Sequence, residues 1–174
     1  MISFRIVVAA SAAVSVAYIC GPLATPSSAA EPKQITETYD DWTVRCATLK
    51  GKKKRICEMV QAVRVRGKKG ILAQIAIGKP PGSKSLKLII QVPTRVLLQK
   101  GVVVSFDTTD KLDARFTLCT PSSCLAEFAF KNTTLSRIQK AKKATLSFVM
   151  ANRKAIKVPI SLRGFTDAAS RITK

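Results

Sequence analysis

The chain has 174 residues, with 30 Lys and Arg against 10 Asp and Glu for a net charge of +20, and it contains no histidine. The missing imidazole excludes Ser-His-Asp, Cys-His and His-zinc chemistry, which need it as general base or metal ligand. So large a positive excess weakens the compact state by self-repulsion and points to an anionic partner.

The predicted elements begin with an export signal. Arg5 precedes an uncharged run from Ile6 to Ile19, and Ser28-Ala29-Ala30 supplies the small residues that a signal peptidase accepts. The run has 14 residues, short of the roughly 20 that a spanning helix needs, so cleavage after Ala30 is expected rather than anchoring. Bulky Tyr18 and Ile19 ahead of Cys20 argue against a lipidated cysteine. The mature chain would then be Glu31 to Lys174, 144 residues with 29 basic and 10 acidic side chains, a net of +19. That is one domain's length. Residues 31–37 read as a polar leader and 38–174 as the domain.

From Tyr39 the pattern has period two. Trp42, Val44 and Cys46 share one face of a strand, with Thr43 and Arg45 on the other. Cys57, Met59, Gln61, Val63 and Val65 line up in the same way. Trp42 is expected to pack in the core against a disulfide, and Gln61 to be a buried amide bonded to a neighbouring backbone group. Gly67-Lys68-Lys69-Gly70 turns the chain into a strand over 71–77, which Lys79-Pro80-Pro81-Gly82 ends. Leu86, Leu88, Ile90 and Val92 alternate next, and the continuous apolar run Val102 to Phe106 suits a more fully buried strand. Phe116 and Leu118 lead to Cys119, and Cys124 opens an apolar run to Phe130, which predicts a hairpin. Thr133 to Lys140 predicts a short helix with a threonine cap. Leu146, Phe148 and Met150, then Ile156, Val158, Ile160 and Leu162, form two last strands around an Asn152-Arg153-Lys154 turn. Pro159 cannot donate a ladder bond, which places its strand at an edge or turns its amide position outward. Eight or nine strands at turn spacings of about ten residues predict an all-β sandwich or barrel.

Four cysteines follow the signal: Cys46, Cys57, Cys119 and Cys124. In an exported chain an even count reads as a disulfide framework with three connectivities. The local one, Cys46 with Cys57 and Cys119 with Cys124, is expected, closing one hairpin and clamping the Thr120-Pro121-Ser122-Ser123 turn. Neither spacing suits a redox Cys-x-x-Cys centre or a cysteine zinc site. Asp40-Asp41, the Asp107 to Asp110 stretch and Asp113 lack the alternating acids of a calcium loop.

The sharpest candidate site is Lys50-Gly51-Lys52-Lys53-Lys54-Arg55, five positive charges inside the Cys46 to Cys57 loop. Crowding them costs stability at low salt, which an anionic lipid headgroup or glycan would relieve. Lys68, Lys69, Lys140, Lys142, Lys143, Arg153 and Lys154 are further basic tips, and any that share one end of the sandwich would extend the patch. Single-stranded nucleic acid needs aromatic stacking platforms, and only eight aromatics follow the signal, mostly at core-like positions. No intracellular nucleic-acid partner is expected.

The order Trp42-x-Val44-x-Cys46, Cys57, Pro93, Cys119-x4-Cys124-Leu125-Ala126 and Val158-Pro159-Ile160-Ser161-Leu162-Arg163-Gly164-Phe165-x-x-Ala168 resembles the invasion-associated locus B protein family of bacteria. The similarity covers about residues 38–172. Two turn positions depart from the pattern, with Ser123 and Ala141 where glycine is common. The resemblance implies an immunoglobulin-like β-sandwich with one or two short helices, exported to the periplasm, outer membrane or medium, and a role in attachment to or entry into host cells. It implies no catalytic residue. The resulting expectation is a non-enzymatic binding module, without cofactor or metal. It would meet lipopolysaccharide, acidic lipid or an anionic glycan through its lysine-rich turns, with a host-cell receptor as a further partner. The alternative is a periplasmic envelope-maintenance protein that binds the cell's own lipopolysaccharide or anionic polymers.

Overall fold

The period-two segments become ten strands in the computed structural model, which describes residues 34–48, 55–65, 67, 69–131 and 133–174. They are β1 (Gln34–Tyr39), β2 (Trp42–Thr48), β3 (Arg55–Val63), β4 (Ala73–Gly78), β5 (Lys87–Pro93), β6 (Val102–Phe106), β7 (Lys111–Cys119), β8 (Ser123–Ala129), β9 (Ala144–Val149) and β10 (Ala155–Ile160). Two α-helices, α1 (Thr134–Lys140) and α2 (Phe165–Thr173), and a single 3-10 turn at Leu98–Lys100 complete the described fold. All neighbouring strands are antiparallel, in the order β1-β2-β3-β4-β5-β8-β7-β6-β9-β10.

The sheet folds over on itself at β7. Residues Lys111 to Ala114 pair with β6, while Arg115 to Cys119 pair with β8 across a register shift between Phe116 and Leu118. Such a bulge bends its strand and lets one strand serve two layers. The inward rows Ile75, Ile77 and Leu88 then face Val104, Leu112, Ala144 and Ile160 across one apolar core. The expected all-β sandwich, with two helices and two disulfides, is the fold observed.

Three elements differ from their expected form. Gln34 to Glu37, expected in the leader, open an edge strand: Gln34, Thr36 and Thr38 face solvent while Ile35 and Tyr39 pack against the core. An edge strand with one wet face tolerates that polar composition. β6 is not buried on both faces, because only Val102 and Val104 point into the core while Val103 and Ser105 are half-buried. Thr133 makes no side-chain cap on α1; Thr134 Oγ1 instead accepts from the Lys131 amide at 3.0 Å. β10 lies at the sheet edge, one of the two placements that Pro159 allows.

Neither departure from glycine strains the chain. Ala141 follows α1 with extended backbone (φ −75°, ψ 147°), so no left-handed residue is needed. Ser123 is buried and uses its hydroxyl, which accepts from Gln91 Nε2 at 3.0 Å.

Both disulfides join directly opposed residues of neighbouring strands. Cys46 pairs with Cys57 across β2 and β3 with Cα atoms 4.1 Å apart, and Cys119 with Cys124 across β7 and β8 at 4.0 Å. Their sequence separations are 11 and 5. Chain entropy then gives about 2.7 kcal/mol for the first and about 2 kcal/mol for the second. Replacing each pair by alanines should lower the urea unfolding free energy in that order. A larger loss at Cys119 and Cys124 would contradict the entropic account.

Candidate functional site

The end of α2 determines where cationic side chains meet. Phe165, Ala168, Ala169 and Ile172 recur at helical spacing and turn one face of α2 onto the core, against β1, β2 and β3. Gly164, at φ 73°, starts the helix where a Cβ would collide with the Tyr39 carbonyl. The far end is tied to β1: Arg171 Nε and Nη2 donate to Glu37 at 2.8 and 2.9 Å, and the Tyr39 hydroxyl donates to the same carboxylate at 2.7 Å.

This triad perturbs its own titration. The Arg171 bond, then the Tyr39 bond, hold the Glu37 carboxyl below its usual range, and the bond to Glu37 pushes the Tyr39 phenol up. Because the folded pKa of Glu37 is depressed, its contribution to stability is present above the unfolded value of roughly 4.3 and is lost as pH falls through the folded value. Glu37→Gln should therefore lower the melting temperature at neutral pH, and the gap to wild type should close as pH falls below about 4. A gap that stays constant across that window would contradict the pairing.

Beside the end of α2 lies a groove of about 700 Å³. Its walls are the first residues of β3, the Lys79 to Lys84 turn between β4 and β5, and the last turn of α2. The turn is built locally: the Ser83 amide donates to Pro80 O at 3.0 Å, and the Ser83 hydroxyl donates to Ser85 O at 2.8 Å. Arg55, Lys79, Lys84, Arg171 and Lys174 line the groove, and among the described residues no acidic side chain does. Of these cations only Arg171 has an ion-pair partner among the described residues. A concentration of unpaired charge against a low-dielectric wall focuses the positive potential.

Among the described residues, the predicted basic tips stand at different openings and surfaces. Arg55 stands in this groove. Lys50, Lys52, Lys53, Lys54 and Lys68 lie outside the described residues. Lys142 and Lys143 line a separate opening of about 560 Å³ with Arg163, at the start of β9 and the end of β10. There Arg163 pairs with Asp40 at 3.3 Å, and the Asp107 carboxylate lies beside the lysines, accepting from the Lys142 backbone amide at 3.0 Å. Burial pushes the Asp107 carboxyl up, but the backbone amides of Lys143, Lys142, Asp107 and Thr108 together outweigh it and hold the carboxyl below its usual range. Lys69 and Lys140 are exposed and line neither opening. The sequence reading missed Lys79, Lys84 and Lys174; the lysines flanking Pro80-Pro81 were the available signal.

Trp42 and Gln61 are structural. The Trp42 ring is buried edge-to-face on Phe165, with centroids 5.3 Å apart, and its Nε1 donates to Ser161 O at 3.0 Å. Gln61 brackets the same residue, donating from Nε2 to Ser161 O at 3.0 Å and accepting the Ser161 amide at 3.1 Å. The turn acids are engaged by Ser161, Arg163, Lys142 and Arg137. Among the described residues no cluster of three or more His, Cys, Asp or Glu could hold a metal.

Fold and site together define a small disulfide-stapled β-sandwich with a cation-lined groove and no metal cluster among the described residues. The sequence profile of the invasion associated locus B (IalB) protein family matches residues 42–173, and the chain belongs to that family. An invasion protein B homolog of Brucella abortus is 26% identical over 142 residues, 79% of each chain. Invasion protein B of Bartonella bacilliformis is 25% identical over 160 residues, covering 87% of this chain and 84% of that one. The crystal structure of invasion associated protein B from Bartonella henselae superposes with a TM-score of 0.67 at 20% identity, over 80% of this chain and 95% of that one. That likeness concerns the fold; the family carries an association with invasion.

Proposed function

We propose that this protein is an exported, non-enzymatic binding module that meets an anionic membrane or cell surface through the groove at the end of α2. The observation that carries the reading is the groove's lining, with five basic side chains and no acid. In the sequence Lys50, Lys52, Lys53 and Lys54 stand directly ahead of Arg55, in the most basic stretch of the chain. Lysine and arginine contribute about 1 kcal/mol each near an anionic bilayer, and that attraction decays within a Debye length. An invasion-associated family is a setting in which contact with such surfaces is useful.

The test is binding of the purified protein to phosphatidylcholine vesicles with and without phosphatidylglycerol or lipopolysaccharide, across salt concentration. Binding to the anionic vesicles alone, weakening steadily with salt, is expected. Equal binding to neutral vesicles, or none at low salt, would overturn the reading. Cell fractionation addresses the exported address, with recovery in the cytoplasm as the contrary result.

A further inference from the structure

The cationic groove has a floor that a purely electrostatic site would not need. Beneath the charged rim lie half-buried Ile56, Leu86 and Ile172, beside Pro80 and Pro81. A soluble polyanion would satisfy Arg55, Lys79, Lys84 and Lys174 but leave this apolar strip wet. The groove's 700 Å³ lies within the range of sites that enclose a small molecule. The lysines suit the combination, because their aliphatic stems run along apolar surface while the ammonium groups stay at the rim.

We propose that the groove binds a single amphiphilic phosphate ester, with the phosphate between Arg55, Lys79 and Lys84 and the first carbons of one acyl chain laid over Ile56, Leu86 and Ile172. The proposal rests on the anionic-surface reading and narrows it to a phospholipid. The opening at Lys142 and Lys143 also has apolar lining, in Pro159, Ile160 and Leu162, but its Arg163 is paired with Asp40 and the Asp107 carboxylate lies at the Lys142 backbone amide. A phosphate gains less there.

The experiment is calorimetric titration of the purified protein with glycerol 1-phosphate, dibutyryl phosphatidic acid and dihexanoyl phosphatidic acid, below micelle-forming concentration and at constant ionic strength. A sulfated oligosaccharide of matched charge serves as a fourth probe. Each buried methylene adds about fourfold to affinity. The dihexanoyl ester should therefore bind at least tenfold tighter than glycerol 1-phosphate, with the dibutyryl ester between them. Lys79→Gln with Lys84→Gln should weaken all three phosphates, while Lys142→Gln with Lys143→Gln should leave them unchanged.

Equal affinity for the three phosphates, or tighter binding of the oligosaccharide, overturns the acyl-chain proposal. If anionic vesicles still bind in a salt-sensitive way, the surface reading survives that result. Loss of vesicle binding as well would remove both.

Discussion

Replacing Trp42 with alanine should destabilise the protein by about 3–5 kcal/mol, read from the midpoint and slope of urea unfolding. The side chain is 1% exposed, so the deletion leaves a cavity at the meeting point of β2, α2 and the end of β10. It also removes the edge-to-face contact with Phe165 and the bond from Nε1 to Ser161 O. Trp42→Phe separates these contributions, since it keeps a ring and loses the donor. Because Ser161 O still accepts from Gln61 Nε2, the phenylalanine variant should lose only about 1 kcal/mol beyond its packing change. An alanine cost below about 1 kcal/mol would mean that Trp42 is not the ring that closes the two layers on α2.

The second large effect concerns binding rather than stability. Converting Arg55, Lys79 and Lys84 together to glutamine should cost about 3 kcal/mol toward anionic vesicles, on the order of 100-fold in affinity. All three are exposed and none has an ion-pair partner among the described residues. Their removal breaks no ion pair there and relieves repulsion, so the melting temperature should hold or rise slightly. The salt dependence of binding should flatten in step with the charge removed.

Much of the architecture could be read from the sequence because it is local. Strand alternation needs only a few residues, and the two cysteine pairs lie on hairpin partners, so proximity along the chain became proximity in space. Pro159 located an edge, and the inward position of Gln61 announced a satisfied buried amide. The elements that escaped depend on distant partners. In β1 only Ile35 and Tyr39 are apolar enough to signal a strand, and the strand is held by Glu37 bonding Arg171, 134 residues away. The core face of α2 includes two alanines, which carry little hydrophobic signal, so its packing showed only in the structure.

The site escaped for the same reason. Arg55 was visible as part of a basic run, but Lys79 and Lys84 join it only because the β4–β5 turn sits beside the start of β3. Lys174 joins because α2 ends there. Charge composition predicted a cationic site, while the pairing of Arg163 with Asp40 and the Asp107 carboxylate at the Lys142 backbone amide set the second basic cluster apart from the groove.

The most direct test compares two variants of equal charge on phosphatidylglycerol-containing vesicles across salt: Arg55, Lys79 and Lys84 to glutamine, against Lys140, Lys142 and Lys143 to glutamine. A groove-centred site predicts that the first set loses on the order of 100-fold at low salt and the second far less. Equal losses would mean that net charge alone drives binding and that the groove at the end of α2 is not the site.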